Sequence, residues 1–210
     1  MKKAIFSTIC LITIFCLKGF SQDINETTVS FMDGKQNAVE AKYNFSEDIM
    51  ETVVERVLEK KKIKKTKSTK GYDLYQGVVF EDLTSDKIDF YIKVDGNKTS
   101  STITILISKG YNNFIASSTD ASTIKNTKSL CKEFNVNAIE EHLNREIAKQ
   151  EEKIKEAEKK YNKSVDKGKD LVKEKEEIIK KIGENSEEQK TMKADLEEQK
   201  KILGTLKSKK

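Results

Sequence analysis

Residues 87–108 read KIDFYIKVDGNKTSSTITILIS, and this stretch decides the fold. Ile88, Phe90, Ile92 and Val94 alternate along its first half, and Ile103, Ile105 and Ile107 along its second. Strand side chains point to opposite faces with a period of two, so each half buries one face of a strand. Asp95-Gly96 turns the chain between them, because these residues tolerate the backbone angles a tight connection needs. Strands joined by so short a connection pair antiparallel.

Upstream, Tyr72, Leu74, Val78 and Phe80 carry another strand signal. Before it, Ile49, Met50, Val53, Val54, Val57 and Leu58 recur at helical spacing behind Ser46, a residue type suited to an N-cap. Glu47 and Asp48 at the start of this helix and Lys60 to Lys62 at its end suit the helix dipole. Earlier still, Thr27, Val29 and Phe31 alternate, Asp33-Gly34 intervenes, and Val39, Ala41, Tyr43 and Phe45 alternate again. That pattern predicts a hairpin whose turn exceeds two residues and uses the positive φ open to Asp-Gly. Downstream, Ile124, Thr127, Cys131 and Phe134 mark the inward face of a shorter helix over Ala121 to Phe134. The expected order is ββαβββα, an α+β fold with a small antiparallel sheet and its helices on one face.

After Asn137 the composition changes. Residues 138–210 hold 20 basic and 18 acidic residues, no proline and few glycines. Asn137 and Glu140 have capping-box spacing for the start of a new helix. One heptad register runs through this tail, with Ile147, Ile154, Tyr161, Ile182, Leu196 and Leu203 at a, and Leu143, Ala157, Leu171, Ile178, Met192 and Leu206 at d. Gly168, Lys175 and Gln189 at a, with Gln150, Ser164, Asn185 and Gln199 at d, make the seam imperfect. Val165, Val172 and Ile179 at e widen the apolar stripe in the middle. A parallel pair would set Lys153 by Glu158, Glu188 by Lys193 and Asp195 by Lys200, but Glu146 by Glu151. The tail is expected as one long coiled-coil-like helix or as a helical hairpin broken near 166–168 or 183–186; the unbroken register favours the former.

The first 21 residues read as a cleavable signal peptide. Lys2 and Lys3 precede an apolar run from Ala4 to Leu17, and Gly19-Phe20-Ser21 places small residues for cleavage before Gln22. The run is shorter than the roughly 20 apolar residues that span a bilayer. The expected layout is thus a signal peptide at 1–21, an α+β body at 22–137 and a charged helical tail at 138–210. The mature chain is then exported, to the periplasm or the cell exterior, and a Lys-, Asn- and Ile-rich composition fits a bacterial envelope protein. Loss of Lys2, Lys3 and Lys18 lowers the formal charge from +5 to +2, which removes the electrostatic footprint of a nucleic-acid binder. Cys10 and Cys16 leave with the signal, so Cys131 has no internal disulfide partner. Its apolar neighbours at helical spacing favour burial over an intermolecular disulfide.

No constellation points to catalysis. His142 is the single histidine and falls at a c position, read as an exposed helical residue. No cysteine or histidine cluster has metal-ligand spacing, no glycine-rich phosphate loop appears, and carboxylate pairs such as Glu151-Glu152 sit on charged helix surface. A non-enzymatic protein without cofactor is expected. Asn25, Asn44, Asn97 and Asn162 head glycosylation tripeptides that arise by chance in such a composition. The sharpest local feature is the run Lys60, Lys61, Lys62, Lys64, Lys65, Lys67 and Lys70, seven lysines in eleven residues. It is read as a solvated linker or as an anion-binding patch for an anionic envelope surface. The tail is read as the site of oligomerisation or of docking to a protein partner.

Overall fold

The computed structural model describes residues 23–110 and 113–208, so the signal peptide expected at 1–21 lies outside the described residues. The elements are β1 (Ile24–Phe31), β2 (Gly34–Tyr43), α1 (Glu47–Lys60), β3 (Lys67–Thr69), β4 (Tyr72–Val79), β5 (Lys87–Gly96), β6 (Ser101–Ser108) and α2 (Ala121–Lys207). The fold is α+β: a six-stranded antiparallel sheet of order β1-β2-β6-β5-β4-β3 with one face covered by helices. The chain divides into two compact units, the first ending at Glu146 and the second beginning at Ile147.

β5 and β6 pair from Asp89–Ser108 to Gly96–Ser101, as the alternation of residues 87–108 predicts. The turn chemistry belongs to Asn97, however, whose side-chain Oδ1 accepts hydrogen bonds from the Thr99 and Ser100 amides at 2.8 and 3.1 Å. Gly96 serves by its lack of a side chain: a Cβ there would lie 2.5 Å from the Ser100 carbonyl oxygen. The first hairpin also differs from expectation. Phe31 pairs with Gly34, so the connection is the two residues Met32-Asp33, and Met32 rather than Gly34 carries the positive φ, 53°.

The helix face of the sheet presents Val39, Ala41, Tyr43, Phe90, Ile92, Ile103, Ile105 and Ile107. All six apolar residues read from α1 are buried against it, and Ser46 occupies the N-cap position without a side-chain capping bond. The start of α2 adds Ile124, Leu130, Cys131 and Phe134, the last two with no exposed surface. Asp120 caps this helix: Oδ1 accepts the Thr123 amide at 3.0 Å and the Ser122 hydroxyl at 2.8 Å, and Lys109 pairs with Oδ2 at 3.0 Å.

The opposite face is closed by strand residues and Phe114. Val39 to Ala41 pair with both β1 and β6, whereas residues 34–38 pair with β1 alone. This free end of the β1–β2 hairpin curls over the sheet. It sets the Phe31 ring 5.0 Å from both Tyr72 and Tyr91 and 5.7 Å from Phe114, edge to face. β1 and β4 are separated by three strands in the sheet order, so the contact records how far the sheet bends.

One helical expectation is corrected. Asn137 does not start a helix; it lies inside α2, and its side-chain amide donates to the Glu133 carbonyl at 2.9 Å. Of the two forms expected for the tail, the structure has the single helix, running through Gly168 and Gly183. A strand that the sequence reading left out, β3, falls within the lysine run and forms one edge of the sheet.

Candidate interaction surfaces

Every described residue of α2 from Glu146 on is exposed. That exposure includes the apolar a and d residues: Ile154 is 48% exposed, Tyr161 69%, Leu171 53%, Ile182 62% and Leu196 54%. Burying a side chain of this size is worth about 1.5–3 kcal/mol, so a repeated row of them along one helix leaves a sizeable apolar stripe in water. The e residues Val172 and Ile179 widen it, at 56% and 58% exposed. Pairs within the helix, Asp166–Lys169 at 3.1 Å, Lys180–Glu184 at 3.8 Å and Glu187–Lys190 at 2.6 Å, use b, c and f positions on the far side of the helix from the seam.

The lysine run divides. Lys61 makes ion pairs with Asp82 at 2.6 Å and Glu133 at 3.0 Å. Burial pulls its ammonium down, but the hydrogen bonds to the two carboxylates outweigh this and leave it raised. Lys65 pairs with Asp73 at 2.7 Å. Lys62 has a φ of 61° and ends α1: its amide donates to Glu59 O at 2.8 Å and the Ile63 amide to Leu58 O at 2.9 Å. This is a Schellman closure, with Ile63 buried beyond it. Lys70 and Gly71, with φ of 52° and 80°, form the two-residue turn between β3 and β4. Lys67 stands on the edge strand, where a charge discourages pairing with another sheet. Lys60, Lys62, Lys64, Lys67 and Lys70 are exposed and make no ion pair among the described residues.

Sequence reading missed a charged network joining α1 to α2. Glu141 accepts from Arg56 Nη1 and from Arg145 Nε, each at 2.8 Å. Arg145 also reaches Asp48 and, at 3.1 Å, Thr52. The Arg145 hydrogen bond, with help from Arg56, holds the Glu141 carboxyl below its ordinary range against the opposing effect of burial. The i,i+4 spacing of Glu141 and Arg145 was visible in the sequence; the partners on α1 depend on how the helices cross.

His142 is half-buried rather than exposed, its ring centroid 5.9 Å from that of Phe45. Cys131 is fully buried, and burial pushes its thiol up to about 12 while a hydrogen bond with Tyr43 acts in the opposite direction. Among the described residues no group of His, Cys, Asp and Glu could hold a metal ion, and no helix is long and apolar enough to cross a membrane. A depression of about 460 Å³ lies at the end of the sheet, bounded by Lys42, Asn44, Asp95, Asn97, Ser100 and Thr102, a polar rim without a nucleophile–base pair. Comparison with protein-family models, with curated proteins and with solved structures finds no match.

Proposed function

We propose that the protein is an exported, non-enzymatic assembly protein in which helix α2 joins the α+β body to a second copy of the chain or to a helical protein partner. The observation that carries this reading is the row of exposed apolar a and d residues on the described part of α2 beyond Glu146. A solvated single helix has no use for such a row, whereas a coiled coil buries it. Export is supported by the sequence alone: Lys2 and Lys3, the apolar run and Gly19-Phe20-Ser21. Sedimentation velocity on the mature full-length chain tests the assembly. A concentration-dependent increase in mass is expected, lost when Ile154, Tyr161, Ile182 and Leu196 are changed to Ser. A chain that stays monomeric and binds no helical partner refutes it. A mature protein still carrying residues 1–21, by intact mass from its native host, refutes the export.

A second reading rests on the five exposed lysines of the 60–70 run that make no ion pair among the described residues. They would attract anionic lipid headgroups or phosphorylated glycolipids, in a salt-dependent manner. Changing Lys60, Lys64, Lys67 and Lys70 to Gln should weaken retention on vesicles containing anionic lipid. Equal retention leaves the run with its structural duties only.

A further inference from the structure

We propose that the seam of α2 is covered by a second copy of the same chain lying antiparallel, in the register centred between Glu176 and Glu177. This deepens the self-association reading above and rests on it. In an antiparallel pair the a residues of one helix face the d residues of the other, while e lies beside e and g beside g; the flanking charges select orientation and register. The centred register uses the full exposed helix. It stacks Ile147 on Leu206, Ala157 on Leu196, Tyr161 on Met192 and Leu171 on Ile182, and it sets Gly168 against Asn185 and Ser164 against Gln189. Polar layers therefore meet polar layers at the weakest points of the repeat. Gln150, Lys175 and Gln199 do meet apolar residues, but their long stems can carry the polar ends to solvent.

The charges decide the matter. Along e, Glu151 meets Lys200 and Glu158 meets Lys193; along g, Lys160 meets Asp195, Lys167 meets Glu188 and Glu174 meets Lys181. Between them, the apolar e residues Val172 and Ile179 face each other. Two-fold symmetry makes each contact twice, and no like charges meet. A shift of one heptad in one direction sets Lys167 against Lys181 and Glu174 against itself. A shift in the other sets Glu174 against Glu188 and Lys181 against itself. The parallel in-register pair keeps its apolar layers alike, but it stacks Lys175 on Lys175, sets Glu146 by Glu151 and has three attractive contacts in place of five. At about twofold in Kd per contact, the charges favour the antiparallel pair by ~50-fold. Of the charged residues in these five contacts, Lys200 alone makes an ion pair within its own helix, with Glu197 at 2.9 Å; the others make none among the described residues.

Two measurements on the mature full-length chain test this. Single variants A157C and L196C, mixed and oxidised with glutathione disulfide, should give a covalent dimer that neither variant gives alone; Cys131, fully buried, serves as the silent internal control. In charge reversal, E158K and K193E should each weaken dimerisation by ~10-fold and the double variant should restore it, because these residues meet each other only in the antiparallel pair. Self-crosslinking of A157C alone, or a double variant weaker than either single one, overturns the orientation while leaving self-association in place. A monomer at every concentration overturns self-association and the antiparallel pair with it.

Discussion

Replacing Asp120 removes the cap of the long helix at the point where it enters the core. The carboxylate is 16% exposed and accepts from the Thr123 amide, the Ser122 and Thr123 hydroxyls and Lys109. Loss of an N-cap costs about 1–2 kcal/mol, and the orphaned Lys109 and Thr123 groups bring D120A to about 2–3 kcal/mol. Asn keeps one accepting oxygen, so D120N should cost about 1 kcal/mol. The Thr123 amide, then the two hydroxyls and Lys109, hold the Asp120 carboxyl far below its ordinary 3.8. A depressed folded-state pKa gives stability that is complete above the unfolded value and is lost as pH falls below it. The advantage of wild type over D120N should therefore be constant at neutral pH and shrink as pH drops below about 4. Urea unfolding followed by tyrosine fluorescence reads the body, since the chain has no tryptophan and Tyr43, Tyr72, Tyr75 and Tyr91 are buried in it. D120A within about 0.5 kcal/mol of wild type would refute the capping account.

Lys62→Gly should stabilise the body by about 0.5–1 kcal/mol, because glycine adopts the positive φ at the end of α1 without strain; destabilisation in urea would contradict a purely structural role there. Phe31→Ala should cost about 3–5 kcal/mol by opening the aromatic cluster, with a matching change in near-ultraviolet circular dichroism; a small loss would mean that the hairpin does not seal that face. Gly96→Ala drives a Cβ into the Ser100 carbonyl and Ser101 Cα and should cost about 1–3 kcal/mol, read as a lowered melting temperature.

Where a signal in the sequence is repeated, it predicted the structure well. The six apolar residues of α1 and the alternation of β5 and β6 each state one periodicity several times over, and their burial follows. Single-residue signals fared worse. Lys67-Ser68-Thr69 has no apolar residue, so a strand held by its neighbour alone left no periodic trace. Asn137 and Glu140 match a capping box locally, but Ala138 is fully buried and the helix continues because core packing on both sides of Asn137 holds it. Asp33-Gly34 and Asp95-Gly96 marked turns correctly but not the residues that bend. The seam was legible as a heptad; the arginines that clamp Glu141 were not, since their meeting depends on how two helices cross.

The curled hairpin divides the sheet into parts of unequal permanence. Amides of residues 39–41 sit between two neighbouring strands, whereas residues 34–38 and their partners in β1 have only each other and the packing of Phe31. Opening that end leaves the helix-covered core intact, so the hairpin tip should behave as a separate, weaker cooperative unit. In native-state hydrogen exchange its amides should exchange at denaturant concentrations where those of β5 and β6 remain protected. Each such opening would bare Tyr72, Tyr91 and Leu106, so this face would be the first apolar surface the body shows under stress.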